Sequence, residues 1–330
     1  MDAGLIYANS RIKSLENNLL TMDKMIRMID SATLDEAVKV LTESNYGGGI
    51  VPDNPNKFDA LLESEEDKTV AFIREIMPSK TGMEIFFYRR DYHNLKTLMK
   101  AKYLASGDYD KLLLKGGLID IDALKDAVMN DDYSSLHREM AEALEEIDGA
   151  FVSGDRSPRL IDVRLDRAYY NHSIKVASNG ARNILTYLKA SIDLINISSF
   201  IRSRRAQMNN KFFTEGFIEG GELSAEFYEP LYESSDEIAL EKFRYTAYKR
   251  LAAKAFESKG RALVEFEAET DNFLLDIFRR DKHDMFGIAP VAGYYLAKMT
   301  EIKVARTILV CIKNKVDKIE IKQRLRELYA

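Results

Sequence analysis

The rarity of proline constrains the fold of this 330-residue chain more than any other feature of its sequence. Proline breaks helix interiors because it lacks an amide hydrogen and clashes with the preceding turn. The long proline-free intervals carry apolar residues at helical spacing, and alternating strand-like runs are scarce. The sequence therefore predicts an all-α protein, interrupted by six prolines: Pro52, Pro55, Pro78, Pro158, Pro230 and Pro290.

Two helix starts are predicted from capping boxes, in which a hydroxyl and a carboxylate three residues apart satisfy unpaired backbone N–H groups. One pairs Thr33 with Glu36, and the other pairs Ser234 with Glu237. The segment Asp236–Asp281 contains no proline and a single glycine. We expect one or two long helices there.

A weak internal repeat is the most informative pattern. An apolar stripe spaced i, i+3, i+6, i+7 occurs as Tyr92, Leu95, Leu98, Met99, again as Leu194, Ile197, Phe200, Ile201, and again as Ile302, Ala305, Ile308, Leu309. Amphipathic helices show such stripes by chance. The first two copies, however, share further matches that favour duplication of one helical unit: Asn94 with Asn196, Lys100 with Arg202, Lys102 with Arg204, and Gly116-Gly117 with Gly220-Gly221.

The third copy of the stripe carries Val304 at the asparagine position, so the polar contact made by the asparagines should be absent there. A fourth and poorer copy would comprise Ile12, Leu15 and Leu19, with Asn18 in its third position.

Composition excludes several classes of protein. The net charge of −5 and the pI of about 5.6 argue against a sequence-independent nucleic-acid binder, which must neutralise phosphates. The single cysteine, Cys311, cannot form an internal disulfide. The uncharged stretch between Asp284 and Lys298 holds 13 residues, fewer than the ~20 that a membrane-spanning helix needs. We therefore expect a soluble protein of a reducing compartment, without a direct lipid span.

No chemical motif stands out. The sequence lacks a phosphate-binding P-loop, since Gly47-Gly48-Gly49 leads into Ile-Val-Pro and not into a helix. The pair His283-Asp284 has the form of a dyad from helical metal phosphohydrolases, but such a site needs further ligands, from His93 or His172. A surface or capping role for the pair is favoured. We expect no catalytic residue, no cofactor and no metal.

Basic residues supply the candidate partner-binding residues. They are Arg89, Arg90, Arg202, Arg204 and Arg205. They could form a patch complementary to an acidic partner, because charge complementarity sets register and accelerates docking. The alternative is an ordinary solvated helix face.

Three stretches resemble the C-subunit family of prokaryotic V-type/A-type ATP synthases, whose eukaryotic counterpart is the d subunit of the vacuolar ATPase. They are Tyr7–Glu16, the block Asp91–Lys102 reading DYHNLKTLMKAK, and Gly287–Pro290 followed by Leu296–Ile308. The matches extend from the first residues to the last thirty, so the resemblance covers the whole chain.

The resemblance implies a funnel of helices in three similar subdomains with a pseudo-threefold arrangement, divided near residues 1–88, 89–190 and 191–330. It also implies a non-catalytic central-stalk (rotor) adaptor of an ATPase that moves protons or sodium ions. Its partners would be the shaft subunits of the ATPase head and the proteolipid ring. It would lie on the cytoplasmic side of the membrane as a peripheral subunit.

Two other functions remain open from the residues alone. One is an independent helical-repeat scaffold that binds another protein, which would not copurify with a proteolipid ring. The other is the metal phosphohydrolase built around His283 and Asp284, which would contain a divalent metal.

Overall fold

The computed structural model describes residues 3–49, 52–104, 108–257 and 262–322. Over these ranges the chain contains helices and no strand, which confirms the all-α prediction. The α-helices are α1 (Ala3–Glu16), α2 (Met22–Asp30), α3 (Leu34–Glu43), α4 (Phe58–Ile76), α5 (Glu84–Leu104), α6 (Ile121–Met129), α7 (Arg138–Val152), α8 (Pro158–Ser178), α9 (Arg182–Arg205), α10 (Asn210–Gly216), α11 (Ala225–Tyr228), α12 (Asp236–Phe243), α13 (Lys249–Phe256), α14 (Ala262–Arg279), α15 (Ala289–Lys313) and α16 (Lys318–Lys322).

The chain divides into two compact units. Unit 1 comprises Met1–Ser79 and Arg250–Ala330, and unit 2 comprises Lys80–Lys249. The division into 1–88, 89–190 and 191–330, together with its pseudo-threefold arrangement, stays a prediction.

Helix α15 is the centre of unit 1. It packs against α1, α2, α3, α4 and α14. The third copy of the apolar stripe lies on α15, and all four of its side chains are buried. The stripe therefore marks a core face, as amphipathic periodicity predicts.

A buried ionic network joins four segments of unit 1. The Nζ atom of Lys298 lies 3.0 Å from a carboxylate oxygen of Glu65 and 2.7 Å from one of Glu301. Glu301 also accepts hydrogen bonds from the hydroxyl of Tyr46 at 2.5 Å and from the backbone N–H of Leu20 at 2.6 Å. Lys298 and Glu301 are nearly inaccessible to solvent. Buried charges persist only when they are paired and hydrogen-bonded in this way.

Unit 2 is built around α5, α8 and α9. Helix α8 packs against α5, α7 and α9, and α6 packs against α5. The first stripe lies on α5 and the second on α9, and every side chain of both is buried. The three strong copies of the repeat are thus all core positions.

The weakest copy is not a helical stripe. Helix α1 ends at Glu16, so Leu19 lies beyond it, although Ile12 and Leu19 are both buried. The fourth copy was therefore wrong as a repeat.

The predicted helix start at Thr33 is confirmed, since Thr33 caps α3 by accepting from the N–H of Glu36 at 3.2 Å. The return contact of the capping box is shifted by one residue, because Glu36 accepts from the N–H of Ala32 at 2.8 Å and not from that of Thr33. The second box is one residue out of place. Ser235, and not Ser234, caps α12 by accepting from the N–H of Ile238.

Over its described residues, 236–257 and 262–281, the segment Asp236–Asp281 forms α12, α13 and α14, not one or two long helices. Helix α12 ends at Phe243, whose carbonyl accepts a hydrogen bond from the hydroxyl of Thr246 at 2.8 Å. That hydroxyl in turn accepts from the N–H of Tyr248 at 3.1 Å. A threonine turn thus breaks the helix without proline or glycine.

Helix α9 is the one helix, within the described ranges, that is long and apolar enough to cross a membrane by length and composition. In the protein, 67% of its apolar window is buried, as in the core helix of a globular unit.

Candidate functional site

Helix α5 holds the loop that follows it through two polar side chains. The Nδ2 atom of Asn94 donates to the carbonyl of Leu114 at 2.9 Å, and the N–H of Leu114 donates back to Oδ1 of Asn94 at 2.8 Å. Asp91, one turn earlier, accepts from the N–H groups of Leu118 at 2.9 Å and Ile119 at 3.2 Å. We call this arrangement the loop clasp of α5.

Helix α9 carries the same arrangement. Asn196 exchanges two hydrogen bonds with the backbone of Ile218, at 2.8 Å and 3.0 Å. Asp193 accepts from the N–H groups of Glu222 and Leu223, both at 3.0 Å. The two aspartates and the two asparagines are completely buried. The internal repeat in unit 2 is therefore a repeat of hydrogen-bonding contacts as well as of amino-acid sequence.

The clasps explain the paired glycines. A Cβ atom on Gly117 would lie 2.0 Å from Oδ1 of Asp91, and one on Gly221 would lie 2.1 Å from Oδ1 of Asp193. The preceding glycine of each pair has a positive φ, 80° in the first and 101° in the second. Each pair thus combines a left-handed backbone with a close approach that only glycine allows.

Asp193 has a third donor. The hydroxyl of Tyr248 donates to it at 2.7 Å, which adds the segment before α13 to the clasp. Burial raises the pKa of Asp193, while the hydrogen bonds from Tyr248 and from the two N–H groups oppose that rise. Burial next to this carboxylate also raises the pKa of Tyr248, so the phenol remains a donor.

The third copy keeps the carboxylate and loses the asparagine. Glu301 directly precedes the stripe of α15, as Asp91 and Asp193 precede theirs, and it also accepts from a backbone N–H and a tyrosine hydroxyl. Val304 is buried and apolar, so the asparagine contact is absent there, as predicted. Sequence reasoning missed these carboxylates, although an acidic residue immediately before each stripe was a visible signal.

Two of the five candidate arginines are bound within unit 2. Arg90 is 6% exposed and donates to the carbonyl of Lys115 at 2.6 Å. Arg204 donates to the carbonyl of Ser234 at 2.5 Å and lies 2.9 Å from a carboxylate oxygen of Asp236. These guanidinium groups fix chain segments within the unit.

The other three candidates, Arg89 on α5 and Arg202 and Arg205 on α9, are exposed. The clasp of α9 fixes the helix that carries Arg202 and Arg205 against the loop that ends at Leu223. The partner-binding prediction therefore concentrates on these three side chains.

The alternative of a metal site at His283 and Asp284 finds no support in the described residues. In the described part of the chain, no group of three His, Cys, Asp or Glu side chains is placed to hold a metal ion. His283 is exposed, and Oδ1 of Asp284 accepts from the N–H of Phe286 at 3.0 Å, which is a turn-capping contact. The thiol of Cys311 is buried.

These features define an all-α protein built on repeated helix–loop clasps. The sequence profile of the ATP synthase (C/AC39) subunit family matches residues 8–324, and the chain belongs to that family.

Known relatives agree along nearly the whole length. The chain is 24% identical to the C subunit of the V-type sodium ATPase of Enterococcus hirae, over 97% of this chain and 98% of that protein. It is 25% identical to the C subunit of the A-type ATP synthase of Methanocaldococcus jannaschii, over 95% of this chain and 83% of the relative. It is 22% identical to the C subunit of the A-type ATP synthase of Thermococcus kodakarensis, over 98% and 90%.

Proposed function

We propose that this protein is the non-catalytic central-stalk adaptor of a V/A-type rotary ATPase. It joins the shaft of the soluble ATPase head to the membrane proteolipid ring, on the cytoplasmic side of the membrane. The observation that carries the proposal is the family match over residues 8–324, together with relatives of matching length that are the C subunits of such ATPases.

The interior of the protein suits a mechanical role. A subunit that transmits torque must not yield when its surface is loaded, and packed helices resist compression. Each clasp ties a loop to its helix by hydrogen bonds that are shielded from water. The network around Lys298 ties four segments of unit 1 in the same way.

The exposed arginines are the proposed contacts with acidic surface on the partner proteins. Exposed charges of this kind act mainly on the rate and register of docking, and salt weakens them. Reversing Arg89, Arg202 and Arg205 together to glutamate should therefore lower retention in the complex, most strongly at low salt, where these charges are least screened.

The first experiment is an affinity pull-down of the tagged chain from native membranes solubilised in mild detergent, with the bound proteins identified by mass spectrometry. We expect a proteolipid together with the shaft and catalytic head subunits. Recovery of the folded chain without any of them, from membranes that contain the ATPase, would instead favour the independent helical-repeat scaffold.

The charge-reversal variant is then compared with the wild type in the same pull-down at increasing salt. Exposed lysines elsewhere supply a matched control with the same change in charge: Lys57→Glu, Lys68→Glu and Lys242→Glu. Equal retention of both variants would rule out the arginine contacts and leave the adaptor proposal standing.

A further inference from the structure

One face of α9 is left uncovered within unit 2. Ile195, Ser198, Ser199, Arg202 and Ala206 recur at helical spacing along its C-terminal half and just beyond it, and none of them is buried. The rest of the helix is a core element, since the second apolar stripe and the clasp residues occupy its other faces. An apolar core helix thus presents a mixed small and apolar face outward.

This face forms a groove of about 510 Å³. Three serines, Ser198, Ser199 and Ser203, line it beside Met208 and Phe212. Ile195 and Met208 are 39% and 40% exposed, which is high for large apolar side chains. Short side chains let another backbone approach closely, and burial of the flanking apolar side chains stabilises the contact.

Basic side chains lie in and near the groove. Arg202 lines it and Arg205 is exposed one turn further on. The guanidinium of Arg159 stacks 3.6 Å from the centre of the Phe212 ring, and the side chain of Lys211 is 81% exposed. Glu215 is the carboxylate that faces both Arg159 and Lys211, at 3.3 Å and 3.8 Å. The guanidinium of Arg202 and the ammonium of Lys211 therefore place positive charge at and beside the groove.

We propose that this groove binds an amphipathic α-helix that has an apolar ridge and an acidic flank. The ridge would lie over the three serines between Ile195 and Met208, and the acidic flank would face Arg202 and Arg205. The uncovered face runs for roughly 15 Å along α9, at 1.5 Å per residue, which accommodates about three turns of a helix. That the helix belongs to another protein of the same complex rests on the proposed function.

A designed peptide tests the groove without the ATPase. The probe is a fluorescent helical peptide of about 18 residues with leucines on one face and glutamates on both flanks, and its counterpart carries lysines in place of the glutamates. Fluorescence anisotropy with the full chain should show that the glutamate peptide binds at least about tenfold tighter than the lysine peptide. Equal binding of the two peptides, or no binding of either, would overturn the proposal.

Two variants locate the binding. Ser199→Trp places an indole in the groove and should weaken the glutamate peptide at least about tenfold. Thr186→Trp, at an exposed position on the same helix outside the groove, should bind as the wild type does. Unchanged binding by a folded Ser199→Trp protein would refute the site.

A charge swap gives a second and independent readout. The double variant Arg202→Glu and Arg205→Glu alters only exposed side chains, so it should fold normally and should prefer the lysine peptide. An unchanged preference for the glutamate peptide would exclude charge complementarity.

The same proteins distinguish this proposal from the proposed function. If the wild type binds the glutamate peptide but recovers no protein of the ATPase, the groove stands and the adaptor role fails. If it recovers the ATPase but ignores the peptides, the adaptor role stands and the groove fails. A wild-type dimer in sedimentation that Ser199→Trp dissociates would assign the groove to a second copy of the chain and overturn the helix proposal.

Discussion

Replacing Asp193 with alanine should loosen the clasp of α9 more than any change at an exposed position of that helix. The carboxylate accepts from the N–H groups of Glu222 and Leu223 and from the hydroxyl of Tyr248, and it is completely buried. Each buried donor left without a partner costs roughly 1–3 kcal/mol. A water molecule entering the vacated space would satisfy part of this demand. We expect unit 2 to lose about 3–5 kcal/mol of stability.

The assay combines urea unfolding with amide hydrogen exchange. Far-UV circular dichroism gives the free energy of unfolding, and exchange measured by mass spectrometry should show lost protection at Glu222 and Leu223. Ser198→Ala, at a half-exposed position of α9, is the control and should change stability by less than about 0.5 kcal/mol. A loss below about 1 kcal/mol for Asp193→Ala, with exchange unchanged, would refute the account of the clasp.

Three further predictions concern other positions. Gly221→Ala should destabilise unit 2, because the new Cβ would lie 2.1 Å from Oδ1 of Asp193; urea unfolding followed by circular dichroism measures the loss, and wild-type stability would contradict the close approach. Lys298→Met should cost about 3–5 kcal/mol, because it leaves the buried Glu301 and the partly buried Glu65 without their cation; a thermal midpoint equal to that of the wild type would contradict this. Burial lowers the pKa of His172 from 6.5 to about 4, so the unfolded chain binds the proton first and stability should fall by up to about 3 kcal/mol as pH drops from 6.5 to 4. Urea midpoints across this range should fall less in His172→Gln, and an equal fall in both proteins would exclude His172 as the cause.

The repeat was visible in the sequence because side chains carry it. Apolar stripes mark the core faces of α5, α9 and α15, and periodicity alone predicts such faces. The clasps were harder to find because Asp91 and Asp193 bind backbone N–H groups 27 to 30 positions away. Every residue except proline offers a backbone N–H, so the sequence contains no particular residue type that identifies the partner of each aspartate.

The adjacent arginines show why individual site residues are difficult to predict. Arg89 and Arg90 differ by about 100° around α5, so one can be exposed while the other is buried. Which of them is buried depends on the carbonyl of Lys115, 25 positions further along the chain. The cap of α12 was predicted at Ser234 and not at Ser235 because the capping-box pattern requires a carboxylate three residues after the serine. Ser235 has an isoleucine at that position, so the pattern does not identify it.

The connectivity of unit 1 has a consequence for synthesis. Its core joins α15 to helices from the first 76 residues, and Asn9 donates to the carbonyls of Met285 and Gly287. On the ribosome, the first segment must therefore wait at least while residues 80–249 are made, for about 10 to 30 s at roughly 5–20 residues per second. Unit 2 is contiguous and can fold during that interval. The buried faces of α2 and α3 meanwhile lack α15, so a nascent chain stalled near residue 280 would be the form most in need of a chaperone.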